Sequence, residues 1–122
     1  MTTELNKMLA KMIVPEEILE SFEIEKIEEH SEEYIVELRE KRSELPKSIL
    51  RKGKAVLDGF MPVLELQSFP IQGKSVYLRL YRRRWKERGG GERNFTNDYN
   101  FQEKGMKATR AFGAFLKELG RG

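Results

Sequence analysis

The sequence predicts an α+β fold: an antiparallel sheet of two hairpins, with short helices before it and one helix after it packed on the sheet. Three observations lead there. Residues 22–39 alternate apolar and charged side chains in two runs around a polar turn. Residues 63–80 do the same around Pro70 and Gly73. Both flanks instead carry apolar side chains at helical spacing. The 122 residues suit a single domain, 1–122, large enough to bury a core without staples.

Taken in order, Leu5, Met8, Leu9 and Met12 recur at i, i+3, i+4 and i+7 and predict a first helix with Thr3 as N-cap. The stripe reads as core packing, or as a docking face for a second copy of the chain, which would make a homodimer. Pro15 is expected to open a second helix to about Ser21, with Ile18 and Leu19 inward. Glu16 and Glu17 then sit at the positive end of its dipole. Phe22, Ile24 and Lys26 alternate with Glu23 and Glu25; Tyr34, Val36 and Leu38 alternate with Ile35, Glu37 and Arg39. This predicts a hairpin with an acidic outer surface, turning at Glu29-His30-Ser31-Glu32. Residues 40–53 read as a charged connection.

Val56 to Phe69 is extended, broken by Gly59 and Pro62. Pro70-Ile71-Gln72-Gly73 predicts a tight turn into the next strand. Lys74 to Trp85 reads as one strand with two faces: Val76, Leu78 and Leu80 inward, and Tyr77, Arg79, Tyr81, Arg83 and Trp85 outward. Gly89-Gly90-Gly91 makes a mobile tip with a charged rim. A helix is expected over about 103–119, closed by Gly120, with Ala108, Phe112, Phe115 and Leu119 on its apolar face.

Several chemistries are excluded. The chain has no cysteine and one histidine, His30, so neither a thiolate metal site nor a zinc site of ordinary ligands can form from it. His30 lies among glutamates in a turn, with no nucleophile to serve. The glycine triplet lacks the spacing and the following Lys-Ser/Thr of a phosphate loop. The only aspartates are Asp58 and Asp98, and the glutamates fall on helix starts, strand exteriors and turns. A two-metal phosphoryl-transfer centre is therefore not expected, nor any cofactor. No apolar run approaches the ~20 residues of a membrane span. The start has no basic segment leading into an apolar one, and the expectation is a cytoplasmic protein without membrane contact.

Charge points to a partner. Residues 1–50 carry a net −6 and residues 51–122 a net +9. A basic half of this kind suits a polyanion. The face Tyr77, Arg79, Tyr81, Arg83 and Trp85 interleaves guanidinium groups, which grip phosphates and guanine edges, with flat rings for bases or sugars. Arg82 and Arg84 are expected to emerge at the strand rim, and Lys86 and Arg88 on the following loop. Lys107, Arg110 and Lys117, with small Ala114 between, form a second basic stripe for phosphates along the last helix.

The segment Ser68-Phe69-Pro70-Ile71-Gln72-Gly73-Lys74-Ser75-Val76-Tyr77-Leu78-Arg79-Leu80-Tyr81-Arg82-Arg83-Arg84-Trp85 resembles the core hairpin of the N-terminal region of bacterial insertion-sequence transposases. There it runs roughly (D/S)-(F/L)-P-(I/L)-x-G-(K/R)-x-V-x-L-x-(L/I)-x-R-R-R-(W/F), followed by a loop and a helix. Tyr99 to Leu119 resembles that helix, with Thr109 and Arg110 before Phe112-Gly113-Ala114-Phe115-Leu116. Val14-Pro15-Glu16-Glu17-Ile18-Leu19 resembles the family's Leu-Pro-x-x-Leu-Leu opening, so the likeness spans most of the chain. Related zinc-finger-like N-termini flank the hairpin with cysteine pairs; this chain has none, and must hold its shape by core packing. The resemblance implies a non-catalytic module that binds double-stranded DNA at the element's terminal repeats beside a separate catalytic transposase subunit. Two alternatives stand beside it. One is a protein–protein adaptor for that subunit. The other is a small ribonuclease working without histidine through Tyr77, Arg79, Tyr81, Arg83 and Lys86.

Overall fold

The structure, a computed structural model, describes residues 2–121, with the side chains of 8–51 and 53–120. Helices α1 (Thr2–Ile13) and α2 (Glu16–Leu19) lead into strands β1 (Phe22–Glu29) and β2 (Glu33–Glu40). A short helical turn at Lys52–Lys54 precedes β3 (Ala55–Phe60). Then come β4 (Leu64–Ile71), β5 (Lys74–Tyr81), β6 (Arg83–Glu87) and α3 (Arg110–Arg121). The class is α+β, as the patterning predicts.

The two hairpins form where expected, β1 with β2 and β4 with β5, both antiparallel. The second turns through Gln72 (φ 50) and Gly73 (φ 79), flanked by the Ile71–Lys74 pair. Two successive positive φ angles match the twist of the strands, and glycine takes the second at no steric cost. Phe69 and Pro70 fall at an irregularity of β4, where a residue without an N–H is tolerated.

Three expectations about the sheet are corrected. The sheet is mixed: the order is β1-β2-β5-β4, and β2 runs parallel to β5. A parallel pair needs a long crossover, and residues 41–73 supply it. The extended run expected from Val56 to Phe69 also divides: its first part, β3, joins a different sheet from its second, β4. Finally, the strand expected from Lys74 to Trp85 breaks at Arg82, and β6 leaves to pair with β3 in a separate two-stranded ribbon.

One face of the larger sheet holds Phe22, Ile24, Val36, Leu38, Leu66, Val76, Leu78 and Leu80, all buried. α1 covers it through Ala10, the following Val14 adds to the cover, and α2 contributes Ile18. Met8, Leu9 and Met12, expected in the core, instead face outward, Met12 being 81% exposed. The fully buried Ala10 lets the helix approach the sheet closely, and that turns the longer side chains away. Leu5 lies outside the described side chains, and Thr3 falls inside the helix rather than before it. Pro15 stands just ahead of α2, at φ −53 and ψ 137, rather than in its first turn.

The C-terminal helix begins later than its spacing suggests. Residues 101–109 fold back on β4, where Gln67 accepts from the Thr109 N–H and donates to the Lys107 carbonyl. Thr109 then caps α3, its Oγ1 accepting from the Phe112 N–H at 3.3 Å. Ala108 and Phe112 are buried, while Phe115 and Leu119 remain exposed, at 47% and 62%. Phe69 holds the helix through ring contacts with Phe112 and Phe115. Gly120 lies within α3 rather than closing it. Gly113 makes the closest approach: a Cβ there would stand 2.3 Å from the Glu103 Cβ. Gly113→Ala is expected to cost about 1–3 kcal/mol through overpacking, read as a lower thermal midpoint.

Candidate nucleic-acid interface

The break at Arg82 reorganises the predicted contact face. In β5 the even-numbered side chains are buried; in β6 the odd-numbered Arg83 and Trp85 are. A slip of one residue sends every later side chain to the other face. Arg82 fixes the slip. Its carbonyl accepts from the Met61 N–H at 2.8 Å, its guanidinium donates to the Pro62 carbonyl at 3.2 Å, and its Nε is buried without a partner.

Trp85, expected to contact DNA, is a core residue, 5% exposed. It packs with Ile49 and Phe95, flanked by Leu45, Ala55 and Leu57. Its main chain exchanges two hydrogen bonds with Phe95, and its indole N–H is buried unpaired. Arg83 is likewise buried. Its N–H donates to Glu40 Oε1 at 2.7 Å, and its Nε donates to the Glu40 carbonyl at 2.6 Å.

Tyr77, Arg79 and Tyr81 do share the opposite face of β5 and are half-buried. They do not make a cationic ridge. Arg79 donates to Glu65 Oε2 at 2.9 Å, and that bond raises its guanidinium pKa. Strand register sets Glu37 on its other side and Lys26 beyond, so the row Lys26, Glu37, Arg79, Glu65 is charge-balanced. Tyr81 rests edge-on against Phe60, with ring centres 6.4 Å apart. The five residues of the ribonuclease alternative are therefore divided between two sheets, with Arg83 buried.

The free positive charge lies on the ribbon. Residues 41–63 and 82–98, which build β3, β6 and their loops, carry 12 Lys/Arg against 5 Asp/Glu, a net of +7. The remaining residues net −4. Arg84 is partly held, its Nε donating to the Asp58 carbonyl at 2.8 Å. Lys86 pairs opposite Val56 and is exposed, its Nζ 3.9 Å from the same aspartate's carboxylate. The Arg88 N–H donates to the Lys54 carbonyl, and the Arg51 N–H to Glu87 Oε2. These bonds gather Arg51, Lys54, Lys86 and Arg88 at the glycine-rich end of the ribbon, all exposed. Arg51 lies in the span expected to be a connection and Lys54 just beyond it, and neither is among the expected contacts. The signal was present: residues 41–54 hold six Lys/Arg and one Glu.

The second stripe is dispersed. Lys107 precedes α3 and is exposed; Arg110 lies 3.9 Å from Glu17; Lys117 pairs with Glu103 at 3.2 Å and donates to the Lys104 carbonyl. Among the described residues no helix is long and apolar enough to cross a membrane. The arrangement is a small α+β domain with a basic two-stranded ribbon standing off a sheet of net negative charge. No protein-family model, curated protein or solved structure matches the chain.

Proposed function

We propose that the chain is a non-catalytic DNA-binding module of an insertion-sequence transposase, recognising the element's terminal repeats beside a separate catalytic subunit. The observation that carries the reading is the net +7 concentrated on the β3–β6 ribbon. Lys54, Lys86 and Arg88 are its leading phosphate contacts. A two-stranded ribbon fits the major groove, and exposed cations along it neutralise phosphates and release counterions. The transposase assignment draws on the hairpin and helix motifs of the sequence. Trp85 packs the ribbon's core rather than touching DNA, and Arg83 anchors the ribbon to Glu40.

The test is duplex binding at two salt concentrations, using the repeats that flank the gene's own locus and a scrambled duplex. Lys54→Gln, Lys86→Gln and Arg88→Gln together are expected to weaken binding and flatten its log–log salt slope by roughly 0.9 per lost contact. Arg79→Gln, already tied to Glu65, is expected to change little. No binding by the unaltered chain rejects the function. Binding that survives the triple change intact rejects the surface.

The adaptor reading draws on a separate observation, the outward stripe Met8, Leu9 and Met12. It predicts that Met12→Asp abolishes co-purification with the neighbouring-gene product and leaves duplex binding unaltered.

A further inference from the structure

Where the end of β2 meets the start of β6, a cleft of about 360 Å³ opens between the sheet and the ribbon. Arg39, Lys41, Arg42 and Arg83 line it, against Glu23 and Glu40, for a formal charge of +2.

The carboxylates do not neutralise these cations directly. Glu40 Oε1 accepts from the Arg83 main chain, and Oε2 accepts from Asn97 and the Tyr99 hydroxyl. Lys41 donates to a neutral carbonyl, that of Glu20. Among the described residues Arg39 alone of the four has a carboxylate partner, Glu25 at 3.0 Å. Arg42 is exposed and meets none among the described residues.

Arg83 is the built part of the site. It is 8% exposed, and its Nε is fixed by the Glu40 carbonyl. Among the described residues no acceptor pairs with its terminal nitrogens. The Phe60 ring lies 5.2 Å from its guanidinium carbon and 5.6 Å from that of Arg39. Burial, and then repulsion from Arg42 and Arg39, push the Arg83 pKa down. Of the three guanidinium groups gathered here only Arg39 has a carboxylate partner among the described residues, and a bound anion would relieve the repulsion between Arg83 and Arg42.

We propose that this cleft is a phosphate-binding site, with Arg83 as the fixed fork and Arg42 as the mobile clamp. Guanidinium forks suit phosphate oxygens geometrically, and the Ser43 hydroxyl on the lining offers a further donor. The phosphate has two candidate sources, a nucleic-acid backbone and free phosphate in solution. Only the first rests on the DNA-binding reading; the site itself does not.

Calorimetric titration of the full chain with inorganic phosphate at low ionic strength tests it. Saturable binding is expected, weakened about tenfold by Arg42→Ala, an exposed position whose loss leaves the fold intact. Arg83→Lys, which keeps the charge but not the fork, is expected to weaken it as well. Lys104→Gln, an exposed cation outside the cleft, is expected to leave the titration unchanged. Absence of saturable binding, equal binding by Arg42→Ala, or equal weakening by Lys104→Gln overturns the proposal. With binding in hand, loss of the phosphate heat on adding duplex DNA assigns the site to a backbone phosphate. Its persistence in saturating duplex assigns it to free phosphate.

Discussion

Glu40→Ala is expected to be among the most damaging single substitutions in the molecule, costing about 3–5 kcal/mol. Glu40 is 1% exposed and joins the two sheets. Its carboxylate takes the Arg83 N–H at the head of the ribbon, the Asn97 amide at 2.8 Å and the Tyr99 hydroxyl. Alanine would strip the buried Arg83 N–H and the part-buried Tyr99 hydroxyl of this acceptor, leave the Asn97 amide only the Glu44 carbonyl, and remove the negative charge beside Arg83. Each stranded donor costs about 1–3 kcal/mol, less whatever water recovers. A domain is stable by only about 5–15 kcal/mol, so the loss is a large share. The check is urea unfolding followed in two ways. The single tryptophan, Trp85, reports on the ribbon, and far-UV circular dichroism reports on the whole. In the unaltered protein the two midpoints should coincide; in Glu40→Ala the fluorescence midpoint should fall further. Coincident, unshifted curves would refute the linking role.

The same contact sets an alkaline limit. Burial, and then the Glu40 carboxylate, push the Tyr99 phenol far above its ordinary range. The unfolded phenol ionises near pH 10. Stability from this group is therefore whole below about that pH and declines as pH rises past it. Tyr99→Phe should flatten the decline of the urea midpoint above about pH 10.

Trp85→Ala is the second large effect, expected to cost about 3–5 kcal/mol. The ribbon has a small core of its own, Ile49, Trp85 and Phe95, and the indole is its largest member. A two-stranded ribbon without a packed face is marginal in water. Removing the ring should loosen the ribbon first, which hydrogen exchange at the Trp85–Phe95 amide pair would register ahead of the larger sheet. Trp85→Phe should be far milder. It keeps most of the apolar volume and deletes an N–H that is buried without a partner. If alanine and phenylalanine prove equally costly, the indole does something other than fill space.

These two residues also show where the sequence was legible. The hairpins could be read because alternation and the Gln72-Gly73 turn are local signals. The parallel pairing of β2 with β5 could not, because partner choice joins residues some 40 positions apart and leaves no mark on either strand. Arg82 carries no glycine or proline to announce a break, so Lys74 to Trp85 reads as continuous alternation. A tryptophan among five Lys/Arg in residues 82–88 reads as exposed, yet its burial depends on Ile49 and Phe95, which lie on other segments. The basic ribbon was visible as charge, but its location required knowing that residues 41–63 return beside residues 82–98.

The passage from β5 to β6 contains no linker. One uninterrupted backbone leaves the middle of the larger sheet and becomes half of the ribbon, with Arg82 alone between them. A polymer tugging on the ribbon would thus load an interior strand at once, with no slack to absorb the pull. Torque and tension would reach the domain's centre, and the ribbon would keep a fixed bearing relative to whatever is docked on the far side.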